Sequence, residues 1–352
     1  MLNVGLIGIG FMGWIHYLAY QRSSRARVAA ICTRDPKKAA GDWTGIRGNF
    51  GPPGEQVDLS GVRICQDWQQ LVEDPAIDAV DICLPPAMHR EVAIAAVRAG
   101  KHVLCEKPIA LNTADAGEMV AAAEQAGRVL CVAHVLPFLG AFRYAAGVIQ
   151  RGELGPVRSM HLKRIISDPT WIPDFYNPST VGGPMIDLHI HDAHYILLLL
   201  GRPRAITAAG WRRGEVTQYA HAMYHFDDRG IAVTAASGVA CVASRGFTHG
   251  FEIQCEQAIL GYEFAAGEGG TRELPLTLYP AAGPMRAVDL PSSDDVDAFV
   301  AEIEGFVDQI ERDPRSNKAV SPLEARFARD AVAICGAVDE AVATGREVEI
   351  SY

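Results

Sequence analysis

No run of apolar residues comes near the roughly 20 needed to span a bilayer, which argues against a membrane-embedded chain. A secretory signal, with its basic, apolar and cleavage-site series, is not visible either, because a strand pattern already begins at residue 2. Cys-x-x-Cys spacing is absent. The eight cysteines are scattered, mostly through apolar strand-like runs, which is the usage expected of reduced core thiols in a cytoplasm. Excess positive charge is also lacking. Lys and Arg number 32 against 42 Asp and Glu, and the formal charge of −10 disfavours nucleic acid or an anionic membrane as a partner. There is no internal repeat and no low-complexity tract. What remains is a chain of 352 residues, 49% apolar and 21% charged, ordinary for a folded protein and long enough for two domains.

The N-terminal part alternates strand and helix patterns. An apolar run at 2–7 leads directly into Gly8-Ile-Gly10-Phe11-Met12-Gly13, and a helical stretch follows to about residue 21. This is the dinucleotide fingerprint in its required context. Gly8 permits the tight turn, Gly10 lets a pyrophosphate approach the backbone, and Gly13 allows close packing of helix and strand. Phe11 and Met12 lie within the same turn, and the orphan N–H groups of the helix start would hold the phosphates. Strand 27–33 ends where an acidic residue usually binds the ribose 2′-hydroxyl, yet Thr33 and Arg34 stand there. A hydroxyl and a guanidinium favour a 2′-phosphate, hence NADP(H), with NAD(H) possible if Asp35 reaches back. The glycine- and proline-rich stretch 41–56 reads as a long surface loop. Helix 67–73, strand 77–84 ended by Pro85-Pro86, helix 91–98, strand 102–105, helix 112–126 and strand 129–133 complete a parallel, doubly wound sheet. The strand at 102–105 runs into Glu106-Lys107-Pro108, which puts Lys107 at the carboxyl end of the sheet, where ligands bind.

Further along, Gly182-Gly-Pro-Met-Ile-Asp187-Leu-His-Ile-His191-Asp-Ala-His194 opens a helix that Gly201 and Pro203 stop. Asp187, His191 and His194 fall at i, i+4 and i+7 on one face, whereas Leu188, His189 and Asp192 point elsewhere. A carboxylate one turn before an imidazole suits a general acid/base. The bland alternative is a polar stripe that meets solvent. A metal is not expected, since a single helix face supplies just these three groups.

The C-terminal part shows strand patterns at 157–167, 205–211, 219–226, 231–237, 250–256, 258–264 and 273–279. Their short turns argue for a mostly antiparallel sheet. Trp171, Phe175 and Tyr176 sit in a proline-rich loop, where packing is the natural role. An amphipathic helix follows along Val296, Phe299, Ile303 and Phe306, and Ser321-Pro-Leu-Glu324 is a capping box for a last helix.

Ile77-Asp-Ala-Val-Asp-Ile-Cys-Leu-Pro-Pro-Ala-Met-His89, then Ala99-Gly-Lys-His-Val-Leu-Cys-Glu-Lys-Pro108, resembles the glucose–fructose oxidoreductase/inositol dehydrogenase (Gfo/Idh/MocA) family. Gly182-Gly183 with Asp187-x-x-x-His191 resembles the family's second signature, and the C-terminal stretch from Ser321 to Ile350 resembles its ending. The resemblance therefore covers essentially the whole chain. It implies a Rossmann domain over 1–134 and an α+β domain over 135–352 with an open sheet, one face of which commonly serves homodimer or homotetramer formation. By the same resemblance, the activity is hydride transfer between a nicotinamide cofactor and a secondary alcohol of a sugar, inositol or related polyol. Lys107, Asp187 and His191 take the catalytic positions. Pro85, His89, Glu106 and Lys107 join the cofactor site; His134, Trp171 and His194 join Lys107, Asp187 and His191 on the substrate side. Members often carry Asp at 194, Gly at 189 and an Arg shortly after 134, so these departures concern substrate identity. A redox-neutral glycoside-cleaving enzyme and a non-enzymatic sugar-responsive regulator are the rival expectations. The joint presence of Lys107, Asp187 and His191 argues against the regulator.

Overall fold

Short β-branched runs followed by helical stretches build the first sheet. In chain order these are β1 (Leu2–Ile7), α1 (Phe11–Arg22), β2 (Ala26–Cys32), α2 (Pro36–Ala39), β3 (Arg63–Cys65) and α3 (Trp68–Val72). They continue as β4 (Ala79–Ile82), α4 (His89–Arg98), β5 (His102–Glu106), α5 (Thr113–Ala126) and β6 (Leu130–Ala133). The computed structural model describes residues 1–352 except 49, 171, 229, 268, 293 and 313–320. All pairings in this sheet are parallel, in the order β3-β2-β1-β4-β5-β6. The order reverses between β1 and β4, and in such sheets the ligand crevice lies at the carboxyl ends at that switch point.

The second sheet is built from β7 (Val157–Ile166), β8 (Ala205–Arg213), β9 (Val216–His225), β10 (Ala232–Val239), β11 (Phe247–Cys255), β12 (Ala258–Gly267), β13 (Gly270–Pro280), β14 (Arg286–Ala287) and β15 (Val348–Glu349). Helices α6 (Gly140–Gln150) and α7 (Ile190–Leu200) belong with it. Its order is β14-β13-β12-β11-β7-β10-β9-β8-β15. β7 and β10 pair in parallel and the remaining neighbours are antiparallel, so the sheet is mixed but mostly antiparallel, as expected.

The division of the chain differs from a single boundary at 134/135. The first compact unit comprises 1–110, 114–138 and 292–328, and the second comprises 111–113, 139–291 and 329–352. The reason lies in α8 (Asp297–Glu311), whose apolar stripe of Phe299, Ile303, Phe306 and Val307 shares one core with Trp14 and Ile15 of α1. Arg22 and Arg25 of α1 add ion pairs to Asp294, Asp297, Glu304, Asp308 and Glu311. These are mostly exposed and contribute little beside the apolar burial. The last helix, α9 (Ala325–Thr344), begins in the first unit and continues in the second.

The stretch 41–56 is not merely a surface loop. Trp43 is fully buried and packs edge-on to Trp14 and Tyr17, and the Trp14 indole N–H donates to Pro52 O at 3.0 Å. Glycine and proline bend this segment, while its few apolar side chains fasten it to α1.

Under α1 lies a buried ionic cluster. His16 Nδ1 is 2.8 Å from Asp81 Oδ2 of β4, and its Nε2 is 3.1 Å from Glu106 Oε1 and 3.9 Å from Glu302 Oε2 of α8. Burial opposes a charged ring, but Asp81 and the neighbouring Cys83 outweigh it and hold the His16 pKa well above the usual value. Burial drives Glu302 well above the ordinary carboxyl range, and neither of its oxygens has a hydrogen-bond partner. A carboxyl with a raised folded-state pKa stabilises at low pH and loses that contribution as pH rises, because the unfolded chain ionises first. Glu302→Gln is therefore expected to be more stable than the unmodified protein at pH 8, with a smaller difference at pH 5. The gap should widen as pH rises above the ordinary carboxyl value, by at most about 1.4 kcal/mol per pH unit. Urea unfolding at several pH values checks this, and a gap independent of pH would refute it.

Candidate functional site

The glycine turn between β1 and α1 has the local geometry its sequence demands. Gly8 has φ +97°, and a Cβ there would meet Cys83 O at 2.5 Å. A Cβ on Gly13 would strike Gly8 O at 2.2 Å, so this glycine fits helix to turn rather than helix to strand. A Cβ on Gly10 would meet no protein atom within 4 Å, and this residue caps α1 without a side-chain partner. A 12-residue helix thus starts without a side-chain cap, and its first backbone N–H groups suit a phosphate. Phe11 and Met12 are half-buried.

Beside this turn is a cavity of about 440 Å³, lined by Gly10, Phe11, Asp35, Lys37, Lys38 and the loop 42–47. Thr33 at the end of β2 is nearly buried, and its hydroxyl accepts the Asp35 N–H at 3.2 Å. Asp35 caps α2 by accepting the Lys37 N–H at 2.9 Å, while Arg34 is exposed. Lys38 Nζ donates to Ile9 O at 2.6 Å. Lys37, Lys38 and Arg47 were not singled out from the sequence. The two lysines follow the expected ribose position at once, whereas Arg47 arrives through the fold of a loop with no periodic signal.

Glu106, Lys107 and Pro108 end β5, and the Lys107–Pro108 peptide is cis. Lys107 is half-buried. The residues on either side of it are held by buried histidines. His16 contacts Glu106, as above, and His89 Nδ1 lies 2.8 Å from Pro108 O while its Nε2 lies 2.8 Å from Leu84 O. Burial lowers the His89 pKa, and the two carbonyls oppose that shift without cancelling it. With both ring nitrogens on backbone carbonyls and no exposure, His89 fastens two strand ends together and has no nitrogen left for a ligand. Pro85 is exposed beside it, and His134, just after β6, is fully buried.

In the second unit, Gly182 and Gly183 take φ +90° and +76°, and Cβ atoms there would crowd Ile186 at 2.7 Å and Val216 at 2.9 Å. The helix expected from residue 184 does begin there, with residues 183–184 α-helical, but it widens at once. Met185–His189 form a π turn, and α7 begins at Ile190. Apolar spacing does not distinguish the two, because a single wide turn leaves the following stripe intact. Such turns recur at functional sites. Asp187 sits in the π turn and His191 in the first turn of α7, and both are half-buried. His194 is fully buried, which sets it apart from them.

The neighbouring ionisable groups are used inside the unit, as their helical phase implied. Asp192 accepts from Arg164 Nη2 at 3.0 Å and Nε at 3.2 Å, all buried. His189 Nδ1 lies 2.9 Å from Ser237 Oγ and Nε2 2.7 Å from Tyr224 Oη, and burial with nearby Arg164 lowers its pKa to about 4. This is a neutral ring that anchors the π turn to the sheet. Trp171 lies outside the described residues. Phe175 is buried with Ile166, Leu188 and Val239, and Tyr176 donates to Asp168 at 2.9 Å beneath the Arg213 guanidinium, so these two aromatics pack the loop. Among the described residues, no helix is long and apolar enough to cross a membrane.

Residues 2–134 match the oxidoreductase family with an NAD-binding Rossmann fold (GFO_IDH_MocA), and residues 142–260 match the GFO/IDH/MocA C-terminal domain. The chain is similar to 1,5-anhydro-D-fructose reductase of Ensifer adhaerens, 38% identical over 134 residues, which is 38% of this chain and 40% of that protein. It is also similar to inositol 2-dehydrogenase 3 of Saccharopolyspora erythraea, 26% identical over 366 aligned positions that cover 99% and 96% of the two chains. Several other curated relatives are matched over only about half of their length, from 53% to 57%. Among solved structures, an NAD-binding oxidoreductase from Klebsiella pneumoniae superposes with a TM-score of 0.80 at 25% identity, covering 100% of this chain and 99% of that one.

Proposed function

Because the chain belongs to the GFO/IDH/MocA oxidoreductase family, we propose that it transfers hydride between a nicotinamide dinucleotide and a secondary alcohol of a sugar, inositol or related polyol. The observation that carries this reading is the Gly8–Gly13 turn, seated where the parallel sheet reverses its order. In this reading the cofactor supplies the hydride acceptor or donor when bound. Lys107 stabilises negative charge on the reacting oxygen, His191 takes or returns the hydroxyl proton, and Asp187 stabilises the imidazolium. His134 and His194, both buried, belong to the substrate side in this reading. A panel of polyols and ketoses, scored by absorbance of the reduced nicotinamide, tests the reading with each cofactor. Stoichiometric cofactor turnover with one of them supports it, and no turnover across the panel would remove it. Product formation without net cofactor turnover would instead favour the redox-neutral glycoside-cleaving reaction.

The cofactor favoured is NADP(H). Asp35 is committed to capping α2, Arg34 is exposed beyond β2, and Lys37, Lys38 and Arg47 line the adjoining cavity. This cationic rim suits a 2′-phosphate. A charge-assisted contact contributes about 1.5–3 kcal/mol, so NADPH is expected to bind roughly tenfold or more tightly than NADH. Thr33→Asp should reverse the order, as measured by fluorescence titration of each reduced cofactor. Equal affinities in the unmodified protein would sink the assignment. Homodimer or homotetramer formation is part of the same reading, and light scattering on the purified chain tests it.

A further inference from the structure

We propose that His16 is a positioning residue for Lys107, acting through Glu106. The inference rests on the role just proposed for Lys107. Glu106 is nearly buried and uses its two oxygens in different directions. Oε2 accepts the backbone N–H of Lys107 at 3.0 Å, and Oε1 lies 3.1 Å from His16 Nε2. That second contact is an ion pair without hydrogen-bond alignment, so its strength comes from charge. The other ring nitrogen is anchored by Asp81 at 2.8 Å, in the middle of the sheet. His16 therefore joins three elements: the helix that carries the glycine turn, the central strand β4 and the strand end that carries the lysine.

The charge arrangement explains why a histidine stands here. Asp81, Glu106 and Glu302 face the ring from β4, β5 and α8, with Cys83 3.6 Å from Nδ1 and Tyr20 on the same helix also near Asp81. Asp81 and Glu106 at a buried point need a cation, whereas burial favours the neutral form of the Glu302 carboxyl. An imidazolium fits, with one N–H for each of two carboxylates. Without it Glu106 would be repelled by Asp81, and the carboxylate that now holds the Lys107 backbone would be free to turn away. His89 fixes the other flank through Pro108 O, so the lysine's backbone is held on both sides while its side chain stays half-exposed.

The role of the charge can be tested in the full chain. His16→Asn and His16→Gln both keep a polar side chain and remove the charge. Displacement of a reacting group by about an ångström can cost about a hundredfold, so each is expected to lower kcat at least about tenfold. Both should keep the substrate KM and the reduced-cofactor Kd within about threefold. Near-normal kcat in both variants, or losses that follow their melting temperatures, would overturn the proposal. Should neither variant fold, nitrogen NMR of the imidazole in the unmodified protein decides. Protons on both ring nitrogens at pH 7.5 support the proposal, and a bare Nε2 overturns it. Lys107→Met serves as the reference. If it turns over normally, the reading of Lys107 has failed and this inference goes with it. If it is inactive while His16→Asn is normal, only the positioning role fails.

Discussion

Replacing His191 with alanine is expected to lower the rate of alcohol oxidation by about 10²–10⁴, the range for losing a positioned acid/base. Hydride cannot leave a carbinol carbon unless the hydroxyl proton leaves as well. Near neutrality a carboxylate is a weak base and an ammonium has no free lone pair, which leaves an imidazole as the natural acceptor. The second unit has three candidate histidines in this stretch, and their surroundings separate them. His189 is buried with both ring nitrogens against the hydroxyls of Ser237 and Tyr224, and His194 is fully buried, whereas His191 is half-buried. Oxidation should accelerate with pH through one ionisation, as the imidazole becomes free to accept the proton, and His191→Ala should lose that inflection. Asp187→Asn should cost less and move the inflection to lower pH, because the anion no longer favours the charged ring. A pH–rate profile of the three proteins decides. If His191→Ala keeps rate and inflection while His194→Ala loses both, the base is His194.

Much of this is legible in the sequence, and the parts that are not share a cause. The glycine turn and the strand after it are local: each depends on residues within one turn, so Gly8, Gly10 and Gly13 announce their own geometry. The capping of α2 by Asp35 is of the same kind. What sequence could not supply was the partner of a buried surface. The stripe Phe299–Ile303–Phe306 says that α8 hides one face, but not that the face meets α1, some 280 residues earlier. Trp43 is similar, since its glycine- and proline-rich setting masks the one large side chain that ties the segment to Trp14 and Tyr17. The π turn at Met185–His189 escaped because hydrophobic spacing over five residues does not resolve i+4 from i+5 bonding. His16 went unremarked as a lone polar residue in an apolar helix. A signal for it did exist: Asp81 stands inside the fully buried strand Ala79–Ile82, and a carboxylate there requires a partner.

Lys107→Met is expected to depress turnover by about 10²–10³, the cost of losing one donor to an oxygen that gains charge in the transition state. Methionine nearly matches the length of the side chain, so the variant removes the ammonium with little change in volume. The backbone around it is held independently of the side chain, by Glu106 Oε2 on the Lys107 N–H and by His89 on Pro108 O. The turn should therefore survive the substitution, and the melting temperature should shift little. Nor does the phosphate-binding geometry depend on this side chain, because the turn at Gly8–Gly13 presents backbone N–H groups of α1. Binding of NADPH should accordingly stay within about threefold, so that the loss falls on kcat rather than on cofactor affinity. Steady-state kinetics beside a fluorescence titration of the reduced cofactor separates the two. An arginine at the same position is not a conservative replacement, since its wider, planar head would place the charge elsewhere, and Lys107→Arg should be nearly as slow as Lys107→Met. Near-normal turnover in Lys107→Met would mean that this lysine is a solvated residue in a strand-end turn, and that the charge on the reacting oxygen is met by another group.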